Sequence, residues 1–141
     1  MKKAALFIVI LLVLIQFIPI ERTNPPIKGE PHWDSVRTKE LFMRACGDCH
    51  SHETKWPWYS AIAPISWLIV YDVYEGRKHL NVSMWGYQEQ ESDEVGEVVE
   101  EKEMPPLLYL LAHPEARLNE QEKKELIEGL KRTFGEKEDE D

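Results

Sequence analysis

The first pattern in the chain is an almost unbroken apolar run, Ala4 to Ile15, carried on by Phe17 and Ile18 past the single polar Gln16. As a helix, Ala4 to Ile20 would span ~25 Å, a little short of the ~30 Å hydrocarbon core of a bilayer. Met1-Lys2-Lys3 supplies a positive start, and no Ala, Ser or Gly lies between Ile15 and Lys28 to form a small-residue cleavage site. No cysteine follows the run closely enough to carry a lipid. The pattern therefore predicts an uncleaved signal anchor, a transmembrane helix over residues 1–20, rather than a cleaved signal peptide. Lys2 and Lys3 would stay on the cytoplasmic side. Residues 21–31 hold Pro25, Pro26, Gly29 and Pro31, which forbid a continuous helix and predict an extended tether.

From residue 32 the apolar positions recur at helical spacing. Asp34 is placed to cap a helix running to about Ala45, with Val36, Leu41, Phe42 and Ala45 near one face. Pro64 suits the first turn of a second helix, through Trp67, Leu68 and Tyr71 to Gly76 as its stop. Ser92 would cap a third, carrying Val95, Val98 and Val99, which Met104-Pro105-Pro106 closes. Pro106 can open a short apolar helix, Leu107 to Ala112. Asn119 with Glu122 forms a capping-box start for the last, whose buried stripe would be Leu126, Ile127, Leu130 and Phe134. Residues 77–91 show no regular pattern and strand alternation is weak throughout. The expectation is one all-α domain over residues 32–135, followed by a solvated acidic tail, 136–141.

Charge narrows the choice of partner. The chain has 17 Lys plus Arg against 26 Asp plus Glu, a net charge of −9. Nucleic acid is excluded as a partner, because its binding rests on basic side chains that neutralise phosphates. A protein partner with a basic docking patch would be attracted instead.

The only two cysteines stand in Cys46-Gly47-Asp48-Cys49-His50. C-x-x-C-H reads as a c-type haem attachment site. Two thiols must reach the two vinyl groups on one porphyrin edge, and the next residue must turn its imidazole under the ring. One short turn of backbone meets all three demands. Competing readings are a thioredoxin-like dithiol, which needs a preceding buried strand that is missing here, and a zinc site, which needs four ligands. A plain pair of buried cysteines is the remaining alternative. Haem fits the spacing best, as one covalently held haem c.

The sequence around the motif is similar to a known family. Cys46-x-x-Cys49-His50-Ser51-x-x-Thr54-x-Trp56-Pro57-Trp58-Tyr59-Ser60-x-Ile62-Ala63-Pro64-x-Ser66-Trp67 resembles the haem-binding domain family of bacterial membrane-anchored or secreted c-type cytochromes. Asp72-Val73, Gly76-Arg77, Leu80-Asn81, Met104-Pro105-Pro106, Tyr109 and His113-Pro114 continue the likeness across roughly residues 34 to 132. The resemblance implies a c-type cytochrome-like helical fold in which the first and last helices of the domain cross beside the porphyrin. It also implies redox work, without a defined substrate.

Within that resemblance His50 is the proximal iron ligand and Met104, beside two prolines after a helix, is the distal one. His113 is the alternative. A Met/His pair raises the potential over two nitrogens. Trp56, Trp58, Tyr59 and Trp67 would wall the haem, and an indole N–H, the Tyr59 hydroxyl or Arg77 would pair with a propionate. His52, His79 and His32 read as surface groups, with His52 also able to support His50. The expected function is single-electron transfer outside the cytoplasm, an electron carrier rather than an enzyme. The chain would be a single-pass protein of the bacterial cytoplasmic membrane, its haem domain facing the periplasm or cell exterior. Two alternatives stand beside it: an open-site haem sensor or peroxidase-like enzyme, and a C-x-x-C dithiol or metal-binding module.

Overall fold

A computed structural model describes residues 1–135, so the acidic tail 136–141 lies outside the described residues. Among these residues there are seven α-helices and no β-strand; a lone bridge joins Gly29 and Met84. The helices are α1 Lys2–Leu14, α2 Val36–Ala45, α3 Gly47–His50, α4 Ile65–His79, α5 Val95–Glu100, α6 Leu107–Ala112 and α7 Glu120–Phe134.

The expected transmembrane helix is corrected. No helix among the described residues is long and apolar enough to cross a membrane. Helix α1 has 13 residues, which gives ~20 Å of length against the ~30 Å a bilayer core requires. A 3₁₀ turn, Ile15–Phe17, follows, and Ile18 is extended (φ −75°, ψ 115°). Ile18 precedes Pro19, and a residue before proline is pushed out of helical backbone. The single-pass membrane placement of the haem domain loses its support with the span. Gln16 instead docks on the domain: its Nε2 donates to Ala63 O at 3.0 Å and its Oε1 accepts from Ala63 N–H at 3.0 Å.

Residues 21–31 form no helix and are bonded to the domain along their length. Arg22 reaches Ser60 Oγ (3.2 Å), Asn24 Nδ2 donates to Thr54 O (2.9 Å), and the Lys28 N–H donates to Ser83 O (2.9 Å). A side chain at Gly29 would strike Trp85 O, so the strap can approach this closely only as glycine.

The core forms where α2, α5 and α7 meet. Leu41 and Phe42 of α2 pack with Val95 and Val99 of α5, Leu126 and Leu130 of α7, and Leu80 and Val82 of the loop after α4. Helices α2 and α7 cross at Thr38 and Gly129, where a Cβ on Gly129 would overlap the Thr38 side chain. At one end Trp33 packs on Phe42 (5.1 Å) and Phe134 (5.8 Å), and Trp85 packs on Phe134 (5.0 Å).

Three boundaries differ from the sequence reading. Ser35, not Asp34, caps α2: its hydroxyl accepts from Thr38 N–H at 3.1 Å. Asp34 takes an ion pair with Arg132 of α7 instead (2.8 Å), and Val36 is exposed. Helix α4 runs through Gly76 to His79, because Gly76 marks its close crossing with α3 rather than its end. Helix α5 begins at Val95 behind Glu94, with Ser92 contributing only a backbone carbonyl to the turn. The Asn119–Glu122 capping box is present in both directions, at 2.9 and 3.0 Å, and α6 spans Leu107–Ala112 as expected.

Candidate functional site

The motif sits at a corner. Helix α2 ends at Cys46, and α3 turns over Gly47–His50, so both thiols and the imidazole project from one tight turn. The turn is tied shut by its own side chains. Ser51 Oγ donates to Gly47 O (2.7 Å) and Thr54 Oγ1 donates to Asp48 O (2.6 Å). The Asp48 carboxylate accepts the Lys55 N–H on one oxygen (2.8 Å) and the Tyr109 hydroxyl on the other (2.8 Å). Tyr109 thereby brings α6 onto the motif. Sequence reasoning gave Asp48 no role, because an x position in C-x-x-C-H carries no pattern.

His50 is held in one tautomer. Its Nδ1 lies 3.0 Å from Leu80 O, and a carbonyl only accepts, so Nδ1 bears the proton. Nε2 is left with a free lone pair, the form an iron ligand needs. Burial holds its pKa below the usual histidine range, opposed by the Leu80 and Gly76 carbonyls, which also favours the neutral ring. Cys46 and Cys49 are free thiols. Burial pushes each up to about 12; the Asp48 and Asp72 charges add to this at Cys49 and Arg77 opposes it.

The aromatic positions divide. Trp56 is half-buried, and its indole N–H is buried without a hydrogen-bond partner. Such a donor is costly to leave alone and fits the carboxylate of a buried propionate. Trp58 is 78% exposed and stands edge-on to Tyr59. Trp67 is half-buried on α4. The Tyr59 hydroxyl lies 3.4 Å from His113 Nε2, while His113 Nδ1 lies 3.1 Å from Tyr109 O and its ring stacks on Tyr109. Both nitrogens of His113 are thus engaged within the protein. Met104 is 38% exposed, just before α6.

Arg77 is placed as a clasp. Its guanidinium donates to Ser51 O (2.8 Å), Thr54 Oγ1 (2.9 Å), Thr23 O (2.9 Å) and Asn24 Oδ1 (3.0 Å), which joins α4, the motif loop and the N-terminal strap. Burial lowers its pKa. His52 is buried rather than at the surface. It donates from Nδ1 to Pro26 O (3.1 Å) and accepts from Asn81 at Nε2 (2.9 Å). His79 is exposed and pairs with Glu91 (2.7 Å), and His32 is exposed.

The donor set fits haem: two thiols and a histidine with its Nε2 unbonded on one turn, with an orphaned indole N–H nearby in sequence. A zinc site would need more ligands, and among the described residues no group of three or more His, Cys, Asp or Glu side chains could hold a metal ion. No curated protein and no solved structure matches the chain significantly. The Haem-binding domain family does match, from residue 10 to residue 132, and so takes in the strap as well as the motif. With nearly its whole length matched, the chain belongs to the Haem-binding domain family and binds haem.

Proposed function

We propose that Cys46 and Cys49 hold one haem c through thioether bonds, that His50 and Met104 are its axial ligands, and that the domain carries single electrons. When bound, the iron supplies the ferric–ferrous change. The observation that carries this reading is the His50 Nδ1–H bond to Leu80 O, which aims a neutral ligating nitrogen from the same turn as both thiols. His113 is spent on Tyr59 and Tyr109, which supports Met104 as the distal ligand. The Met104 segment is also drawn to the motif, since Tyr109, five residues on, binds Asp48. Trp56 N–H donates to a propionate in this reading, and Trp58, Tyr59 and Trp67 exclude water. Arg77 supports the pocket from behind by fixing Ser51 and Thr54. The net charge of −9 suits a redox partner with a basic face.

The test is haem staining after denaturing electrophoresis of protein matured by a c-type assembly system, followed by a redox titration. Covalent stain and a methionine-to-iron charge-transfer band are expected. Loss of the band in Met104→Ala would confirm the ligand; an unchanged ferric spectrum and potential would rule Met104 out. Rapid carbon monoxide binding by the native ferrous protein would favour an open-site sensor or enzyme instead.

A further inference from the structure

The bond that orients His50 ends on a peptide group, and that peptide has a second partner. Leu80 O accepts from His50 Nδ1 at 3.0 Å. The N–H of the same peptide belongs to Asn81, and it donates to Gln90 Oε1 at 2.8 Å. Gln90 Nε2 returns to Asn81 O at 3.2 Å, so the side-chain amide grips Asn81 from both sides. Leu80 is 4% exposed and Asn81 2% exposed, so little water competes for either bond. The line runs Gln90 Oε1, Asn81 N–H, Leu80 C=O, His50 Nδ1–H.

Hydrogen bonds in such a line strengthen one another. An acceptor on the amide N–H makes its carbonyl oxygen more negative. A more negative oxygen draws the Nδ1 proton further, and the imidazole gains anionic character at Nε2. A more basic histidine favours ferric over ferrous iron, since hydrogen bonding behind a ligand is one of the protein's levers on potential.

We propose that Gln90 is a positioning residue for His50, which sets the strength of the proximal ligand through the Leu80–Asn81 peptide without touching the ring. The proposal rests on His50 as proximal ligand. The surroundings support a fixed peptide. Val82 N–H donates to His50 O (2.9 Å), and Asn81 Oδ1 accepts from Ser83 N–H (3.1 Å) while its amide donates to His52. Gln90 is the one side chain on the far side of this peptide's N–H. If it only closed the loop between α4 and α5, any substitution would loosen the loop and act in one direction. A relay responds to the acceptor's strength and so changes sign.

Gln90→Leu removes the acceptor, and Gln90→Glu makes it a stronger, charged acceptor while giving up the Nε2 bond to Asn81 O. In the haem-loaded protein the first raises the reduction potential and the second lowers it. The His50 Nδ1 proton resonance moves upfield in the first and downfield in the second, and it is read in both the haem-loaded and the haem-free chain. Glu89→Gln, an exposed neighbour, measures the effect of charge alone. Shifts of the same sign in both Gln90 variants would overturn the proposal. So would a Gln90→Glu shift no larger in size than that of Glu89→Gln. Should Gln90→Leu fail to fold, Gln90→Met removes the acceptor with a flexible side chain. A chain that takes up no covalent haem defeats the haem reading, whereas an unmoved Nδ1 proton in the haem-free chain defeats the relay by itself.

Discussion

Gly76→Ala sets two effects of opposite sign against each other at the haem motif. Gly76 lies inside α4, where alanine is worth ~1 kcal/mol over glycine in helix propensity. By that measure the change stabilises. A Cβ at this position, however, would fall 2.6 Å from Cys49 O, 2.9 Å from Cys49 Cβ and 3.1 Å from Cys49 C. None of these atoms can rotate away. Both elements are also pinned: the Cys46 N–H bonds Phe42 O at 2.7 Å, His50 bonds Leu80 O past the end of α4, and Arg77 holds Ser51. Overpacking costs ~1–3 kcal/mol where side chains can adjust. Against fixed backbone the upper figure applies, which leaves a net loss of ~2 kcal/mol. For a chain of 141 residues that lowers Tm by ~6–10 °C. Thermal unfolding of the haem-loaded protein by circular dichroism measures it, and haem yield should fall as the turn shifts. Gly96→Ala is the comparison. The atoms nearest its Cβ are all on the Lys131 side chain, Cγ at 3.0 Å, so the crowding is with a side chain rather than with backbone and more of the propensity gain should survive. A Gly76→Ala protein as stable as the parent would refute the close crossing of α3 and α4.

Asn119→Ala removes the side-chain half of the α7 capping box, leaving the residue-119 N–H bonded to Glu122, and should cost ~1 kcal/mol in urea unfolding, with the m-value unchanged. An unchanged midpoint would show that the Asn119 side chain contributes nothing. In the haem-free chain Cys46 and Cys49 are pushed from 9.0 up to about 12, mainly by burial. The folded state therefore favours the neutral thiols. That stability is fully present below pH 9.0 and is lost as pH rises towards 12. At pH 8 the thiolate fraction is ~10³-fold below that of the unfolded chain. Alkylation by iodoacetamide should be slow and keep accelerating past pH 9; a plateau near pH 9 would contradict the burial.

Much of the helical order was legible because it rests on local signals. Asn119 and Glu122 cap α7 through atoms three residues apart, and Leu126 and Leu130 fall inside by spacing alone. Asp34 misled because Ser35, Asp34 and Thr38 all offer capping chemistry, and the choice depends on Arg132, distant in sequence, claiming Asp34. Gly76 misled for a related reason. Glycine marks both a helix stop and a close crossing, and only the position of Cys49 distinguishes them. The apolar N-terminal run reads as a spanning helix by hydropathy; Pro19 and the docking of Gln16 on Ala63 end it early.

The site divides in the same way. Cys46, Cys49 and His50 are readable because their chemistry demands one spacing. The groups that hold them, Asp48, Asn81, Gln90 and the strap, were not, because most of their bonds run to backbone carbonyls and amides that any sequence possesses. Pro26 O, Leu80 O and Ser83 O are acceptors regardless of side chain. What the sequence specifies there is which backbone is brought near, by Gly29 under Trp85 O and by Arg77 between loop and strap. Arg77 shows the consequence most directly. As a cation near a haem motif it invites pairing with a propionate, yet four of its hydrogen bonds go to neutral oxygens, Ser51 O, Thr54 Oγ1, Thr23 O and Asn24 Oδ1. A guanidinium that bridges three segments in this way fixes the loop from which Trp56 presents its unpaired N–H.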